Sequence, residues 1–235
     1  IGEDMMMIYD LKAHELPDSS VVNYKWQHDF IMDALAPLSE EDRRIWLEAY
    51  SRQNEEYVNG RIPEEKLAEW KYQRYMRDLK CPTVGGNILF ENSTDPFLPP
   101  YVMVERDGIN IAILGLTTPA IPNWLPRNLW AGLAFEDMES SARRWMKHLR
   151  EHETPDLVIG LFHSGFEGGI TTDTYCENAT RQVAEKVPGF DAIFYGHDHK
   201  AQNTVVVNVE GDSVLLINPA NNANKVATLD ITITK

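Results

Sequence analysis

Leu157-Val158-Ile159-Gly160-Leu161-Phe162-His163-Ser164-Gly165 and Ala192-Ile193-Phe194-Tyr195-Gly196-His197-Asp198-His199 are built alike: an apolar run, then histidine beside glycine. The first run is entered from Pro155-Asp156 and the second from Gly189-Phe190-Asp191. Runs rich in branched and aromatic residues, separated by a helical pattern, predict adjacent parallel strands of a βαβ unit. Each strand then carries an imidazole to its carboxyl end. Open α/β sheets collect ligands at that edge, so the two loops are predicted to converge on one site.

Three imidazoles at one edge, His163, His197 and His199, suit a borderline transition metal such as zinc, manganese or iron. Gly165 and Gly196 are expected to let the backbone turn sharply beside them. A lone histidine is ordinarily a packed core or surface residue. The paired strand-end setting is what separates these from that background.

The chain has 235 residues, enough for one large domain or a domain with an appendage. Charged residues make up 25% and hydrophobic ones 43%, ordinary values for a soluble globular protein. A net charge of -14 argues against a general nucleic-acid backbone binder, because phosphates need Lys and Arg to displace counterions. Any nucleotide handled here needs a local metal centre to offset that field. Cys81 and Cys176 give no disulfide framework. No signal-peptide pattern or apolar stretch of transmembrane length is visible. A first residue of Ile1 rather than Met suggests a processed or truncated chain, so the missing leader says little about export.

The chain divides by character at about residue 80. Residues 1–80 carry two long helical patterns. Ser39 and the following Glu40-Glu41-Asp42 can cap and charge the start of the first, which carries Ile45, Trp46, Ala49 and Tyr50 at helical spacing. Pro63-Glu64-Glu65 opens the second, with Leu67, Trp70, Tyr75 and Leu79 near one face. This pair is expected to form a helical segment packed on the main domain, residues 81–235.

In that domain, residues 83–90 are predicted to form a strand, and 101–105 and 109–116 a hairpin about Asp107-Gly108. Residues 117–133, rich in Pro and Trp, are expected to be an ordered loop at the rim of the site. Residues 135–153 are predicted helical. His148-Leu149-Arg150-Glu151-His152 fits the H-x-x-E-H pattern of inverted zinc proteases, but it ends a charged amphipathic helix and is read as a solvated face. Residues 177–186 are expected to form a short helix leading to the second histidine strand. Residues 204–209, 214–217 and 225–233 are expected to close the domain as an antiparallel set. The Asn-rich turn 218–224 could line the site or simply form a turn.

His163 in its strand-His-Ser-Gly setting, followed by Gly196-His197-Asp198-His199, resembles the last two metal motifs of the calcineurin-like metallophosphoesterases. Pro82-Thr83-Val84-Gly85-Gly86-Asn87, Pro100-Tyr101-Val102, Gly115-Leu116-Thr117-Thr118-Pro119 and Val187-Pro188-Gly189-Phe190-Asp191 are similar to its bacterial branch of 5'-nucleotidases and 2',3'-cyclic-nucleotide phosphodiesterases.

The resemblance implies an α/β fold, part of a four-layer α/β/β/α sandwich, and a hydrolase using two divalent metal ions, zinc, manganese or iron, on a small nucleotide or cyclic-nucleotide phosphoester. It places His163 and His197 on one metal and His199 on the other. Asp198 between them either orients the ligands or is an ordinary loop carboxylate. Periplasmic or cell-surface location is the family expectation.

The family's earlier motifs, D-x-H, G-D and G-N-H-D/E, are not intact in this sequence. The nearest stretch is Trp26-Gln27-His28-Asp29-Phe30, in which His28 would be the transition-state histidine and Gln27 a weak substitute for an Asn ligand. Without bridging carboxylates three histidines cannot hold two metals tightly. The chain is therefore expected to carry part of a dinuclear site, with one metal or none, and to lack an upstream segment and the second domain that recognises the nucleoside. The alternative is a degenerate scaffold that binds one metal or a partner without catalysis.

Overall fold

The computed structural model describes residues 39–41, 44 and 81–233. The chain forms two compact units, Ile1–Pro63 and Glu64–Lys235. In the first, Glu40, Glu41 and Arg44 are helical, and Arg44 pairs with Glu41 at 2.7 Å. The rest of the expected helix pair, and the candidates Gln27 and His28, lie outside the described residues.

In the second unit a six-stranded sheet runs in the order β2-β3-β5-β8-β10-β9. Its strands are β2 (Tyr101–Arg106), β3 (Ile109–Thr117), β5 (Leu157–His163), β8 (Ala192–Tyr195), β9 (Ala201–Val207) and β10 (Ser213–Pro219). Two small antiparallel pairs flank it: β1 (Ile88–Phe90) with β4 (Leu133–Phe135), and β6 (Gly168–Thr171) with β7 (Cys176–Asn178). Among the unit's described residues three α-helices follow strands: α1 (Ile121–Trp124), α2 (Met138–His148) and α3 (Thr180–Lys186).

β2 and β3 form the expected hairpin. Asp107 and Gly108 both take positive φ, 53° and 76°, as a two-residue loop matched to strand twist demands. β3, β5, β8 and β10 are parallel neighbours in turn. The two aspartates that enter the histidine strands tie their starts together: Asp156 Oδ2 accepts the Asn110 N–H and Asp191 Oδ2 the Val158 N–H, each at 2.8 Å.

Alternation along the strands sends Ala112, Leu114, Leu116, Val158, Phe162, Ile193, Val214 and Leu216 into one buried cluster with Met138, Ala142, Met146 and Leu149 of the α2 region and Val183 and Ala184 of α3. The opposite face is more open, with Leu161 52% exposed.

Several boundaries differ from expectation. Residues 83–87 are not strand; the glycine pair turns the backbone, and buried Asn87 instead clamps β3, its Nδ2 donating to the Thr117 and Glu136 carbonyls and its Oδ1 accepting the Thr117 N–H. α2 begins later than 135 because Asp137 caps it, accepting the Ser140 N–H at 2.9 Å. Its end widens into a π turn, Leu149–Glu153. There His148 packs against Tyr101 and Trp145 and lies 4.5 Å from the His152 ring. Residues 177–179 belong to a hairpin and its exit rather than to a helix, since β7 pairs with β6. Residues 225–233 are irregular and the sheet ends at β9, which pairs with β10. The rim segment carries α1 and a short 3-10 turn, Arg127–Leu129. Among the described residues no helix is long and apolar enough to cross a membrane.

Candidate functional site

The carboxyl ends of β3, β5, β8 and β10 lie along one edge of the sheet and deliver, in that order, the α1 segment, His163, the 196–199 loop and Asn218. Thr118 N–H donates to the His163 carbonyl at 2.8 Å, and Gly196 N–H to the Phe162 carbonyl at 3.2 Å, so both histidine loops leave the sheet already joined to their neighbours.

His163 and His197 are brought together, with ring centroids 5.1 Å apart. Trp124 of α1 lies on His197 at 5.2 Å, and its own side chain is 44% exposed. His197 Nε2 lies 3.0 Å from Glu177 Oε1. His199 is exposed, and among the described residues no ring contact joins it to the other two. The sharp turn falls on the histidines themselves, with φ of 90° at His197 and 59° at His199, not on Gly196 as expected. A non-glycine residue in that region is strained and needs surrounding contacts to hold it.

Asp198 knots the loops. Its Oδ2 accepts the Phe166 N–H at 2.9 Å from the first histidine loop, and its Oδ1 accepts Nδ2 of buried Asn218 at 2.7 Å from the end of β10. Burial first, and the Asp198 carboxylate second, push the Tyr195 hydroxyl up to about 12, so that phenol stays protonated beneath the loop at neutral pH.

A second anchor is the β6–β7 hairpin. Asn178 Oδ1 accepts the Gly165 N–H at 2.8 Å, and buried Ser164 donates to the Glu177 carbonyl while accepting the Ala179 N–H. Asn123 beside Trp124 donates to Tyr175 of the hairpin. Glu177, Asn178 and Trp124 were not singled out by sequence. The usable signal was Gly168-Gly169 followed by a Thr/Asp turn between β-forming residues, a hairpin pattern.

Gly165 is required here for close approach. A Cβ on it would lie 2.5 Å from Asn178 Oδ1 and 2.8 Å from Asp198 Cβ, whereas one on Gly196 would meet nothing within 4 Å. Gly165→Ala is therefore expected to cost about 1–3 kcal/mol, and Gly196→Ala to stay within about 0.5 kcal/mol, both read from urea unfolding midpoints.

The donor types suit a borderline cation, yet among the described residues no group of three His, Cys, Asp or Glu side chains is placed to hold a metal ion. The same holds at His148 and His152. The described residues thus supply neighbouring imidazoles but no closed ligand set.

No family model matches the chain. It is 30% identical over 131 residues to the 2',3'-cyclic-nucleotide 2'-phosphodiesterase/3'-nucleotidase of Yersinia enterocolitica, a match that covers 51% of this chain and 19% of that protein. With the protein of the same description from Salmonella typhimurium it shares 31% over 132 residues, 51% of this chain and 20% of the relative. The chain thus spans about a fifth of the length of these curated relatives. The crystal structure of the calcineurin-like phosphoesterase YfkN from Bacillus subtilis superposes with a TM-score of 0.51 at 25% identity, over 60% of this chain and 47% of that one. Over about half its length, therefore, this chain is a homologue of bacterial cyclic-nucleotide phosphodiesterase/nucleotidases and 5'-nucleotidases, on an α/β sheet of the calcineurin-like phosphoesterase fold.

Proposed function

We propose that the chain is the later part of a metal-dependent phosphoester hydrolase for nucleotides or cyclic nucleotides, carrying part of a dinuclear site. The observation that carries this reading is the placing of His163 and His197 side by side, 5.1 Å apart, at the ligand-collecting edge of the sheet. The relatives' names supply the substrate class. In this reading His163 and His197 serve one cation and His199 the other, and donors outside the described residues complete the set. Bound there, divalent cations supply the positive charge that a phosphoryl group requires in a chain of net charge -14. The chain's own contribution is positioning: Asp198 and Asn178 fix the two loops, and Trp124 and Glu177 hold the His197 ring.

The missing third donor among the described residues favours a second reading, a scaffold that retains the fold without turnover. Phosphate release from an aryl phosphate and from a 2',3'-cyclic nucleotide separates the two, assayed with added manganese on this chain and on a longer version extended to restore upstream carboxylates. Hydrolase function is expected to appear in the longer version, vanish on chelation and return with metal. Turnover that survives chelation overturns the proposal, and silence of the longer version with metal present leaves the scaffold.

A further inference from the structure

We infer that Glu177 is a positioning residue that fixes the tautomer of His197, holding its proton on Nε2 and leaving Nδ1 with a bare lone pair at the site. Three features point to it independently of any bound group. Glu177 Oε1 lies 3.0 Å from His197 Nε2, and the two side chains are only 14% and 20% exposed, so the contact is shielded from water. A carboxylate offers only acceptor oxygens, and the ring nitrogen must be the donor. The carboxylate is itself fixed, because Oε2 accepts the Ile170 N–H of β6 at 2.6 Å. Finally, the ring cannot easily swing away: Trp124 and His163 lie against it at 5.2 and 5.1 Å, and the backbone beneath it is held at φ 90°.

Strain of that kind persists only where surrounding contacts over-determine it, and these are the contacts that do so. A histidine ligand is commonly oriented through its second nitrogen by a carboxylate, which also makes the free nitrogen more basic. Use of that lone pair for a divalent cation rests on the function proposed above. The tautomer itself does not.

Glu177→Gln provides a shape-conserving test. Glutamine has one acceptor oxygen and one donor amide, and the Ile170 N–H is a fixed backbone donor that claims the oxygen. The amide then faces His197 Nε2, which must accept, and the ring proton moves to Nδ1. Nitrogen-15 NMR of the labelled full chain, at a pH where the ring is neutral, reads this directly, with His197→Ala assigning the signals. The protonated nitrogen is expected to be Nε2 in the unsubstituted chain and Nδ1 in Glu177→Gln. The same tautomer in both overturns the inference. So does a proton on Nδ1 in the unsubstituted chain, a result that needs no variant to fold. Addition of zinc is expected to shift Nδ1 of the unsubstituted chain only. If zinc shifts neither chain while the tautomers behave as stated, the metal reading of the site falls and the positioning role stands.

Discussion

Ile193→Ala is expected to lower the unfolding free energy by about 4 kcal/mol. Ile193 sits in the middle of β8, fully buried, with β5 on one side and β10 on the other. Directly across the ladder is Gly160 of β5. A Cβ on that glycine would come within 2.9 Å of Ile193 Cγ1, so the isoleucine already fills the space the glycine leaves. Truncation opens a hole whose walls are strand backbone and the buried residues of the α2 and α3 cluster. Such walls relax little, which puts the cost in the upper part of the range for large-to-small core changes. Val205→Ala on the outer strand, 56% exposed, is expected to cost no more than about 0.5 kcal/mol. Urea unfolding of both variants checks the contrast. A loss below about 1.5 kcal/mol at Ile193 would mean that the sheet can close over the gap.

His197→Gly is expected to abolish the metal-dependent phosphate release proposed above, while leaving stability nearly unchanged. The two effects part because His197 carries strain. Holding a side chain at φ 90° costs about 1–3 kcal/mol, which glycine does not incur. Against that gain stands loss of the bond to Glu177 and of the contacts with Trp124 and His163, about 1–3 kcal/mol together. His197→Ala keeps the strain, loses the contacts, and is expected to be less stable than His197→Gly by about 1 kcal/mol or more. Phosphate release and thermal unfolding on the two variants measure both sides. Retained turnover in His197→Gly overturns the role given to the ring, and equal stability of the two variants overturns the strain.

The parallel core was legible in the sequence because its strands read as nearly unbroken apolar runs, even though one face stays open at Leu161; β5 and β8 lie within a residue of where those runs place them. The hairpin at Asp107-Gly108 was legible because a two-residue turn of that type has a strict conformational requirement. His163 and His197 were found for the same reason as their strands, by position at a strand end. Glu177 and Asn178 were not, since each acts through a partner far along the chain and no local period marks an acceptor aimed at His197 or Gly165; Asn218 was reached only as part of the Asn-rich turn, with no sign that it bonds Asp198. Residues 225–233 alternate as a strand should, but alternation alone supplies no pairing partner, and the sheet ends at β9.

The strand order β2-β3-β5-β8-β10-β9 also sets the sequence in which a nascent chain can assemble. As the chain leaves the ribosome, β3, β5 and β8 each emerge after the neighbour they will join and can dock on a free border without prising apart strands already in place. β9, like β2 at the other edge, appears ahead of its inner neighbour and must wait for β10. A chain stalled just after Tyr195 therefore presents a bare strand border as a hazard for pairing with another nascent chain, and synthesis through Pro219 covers it with a ready-made hairpin.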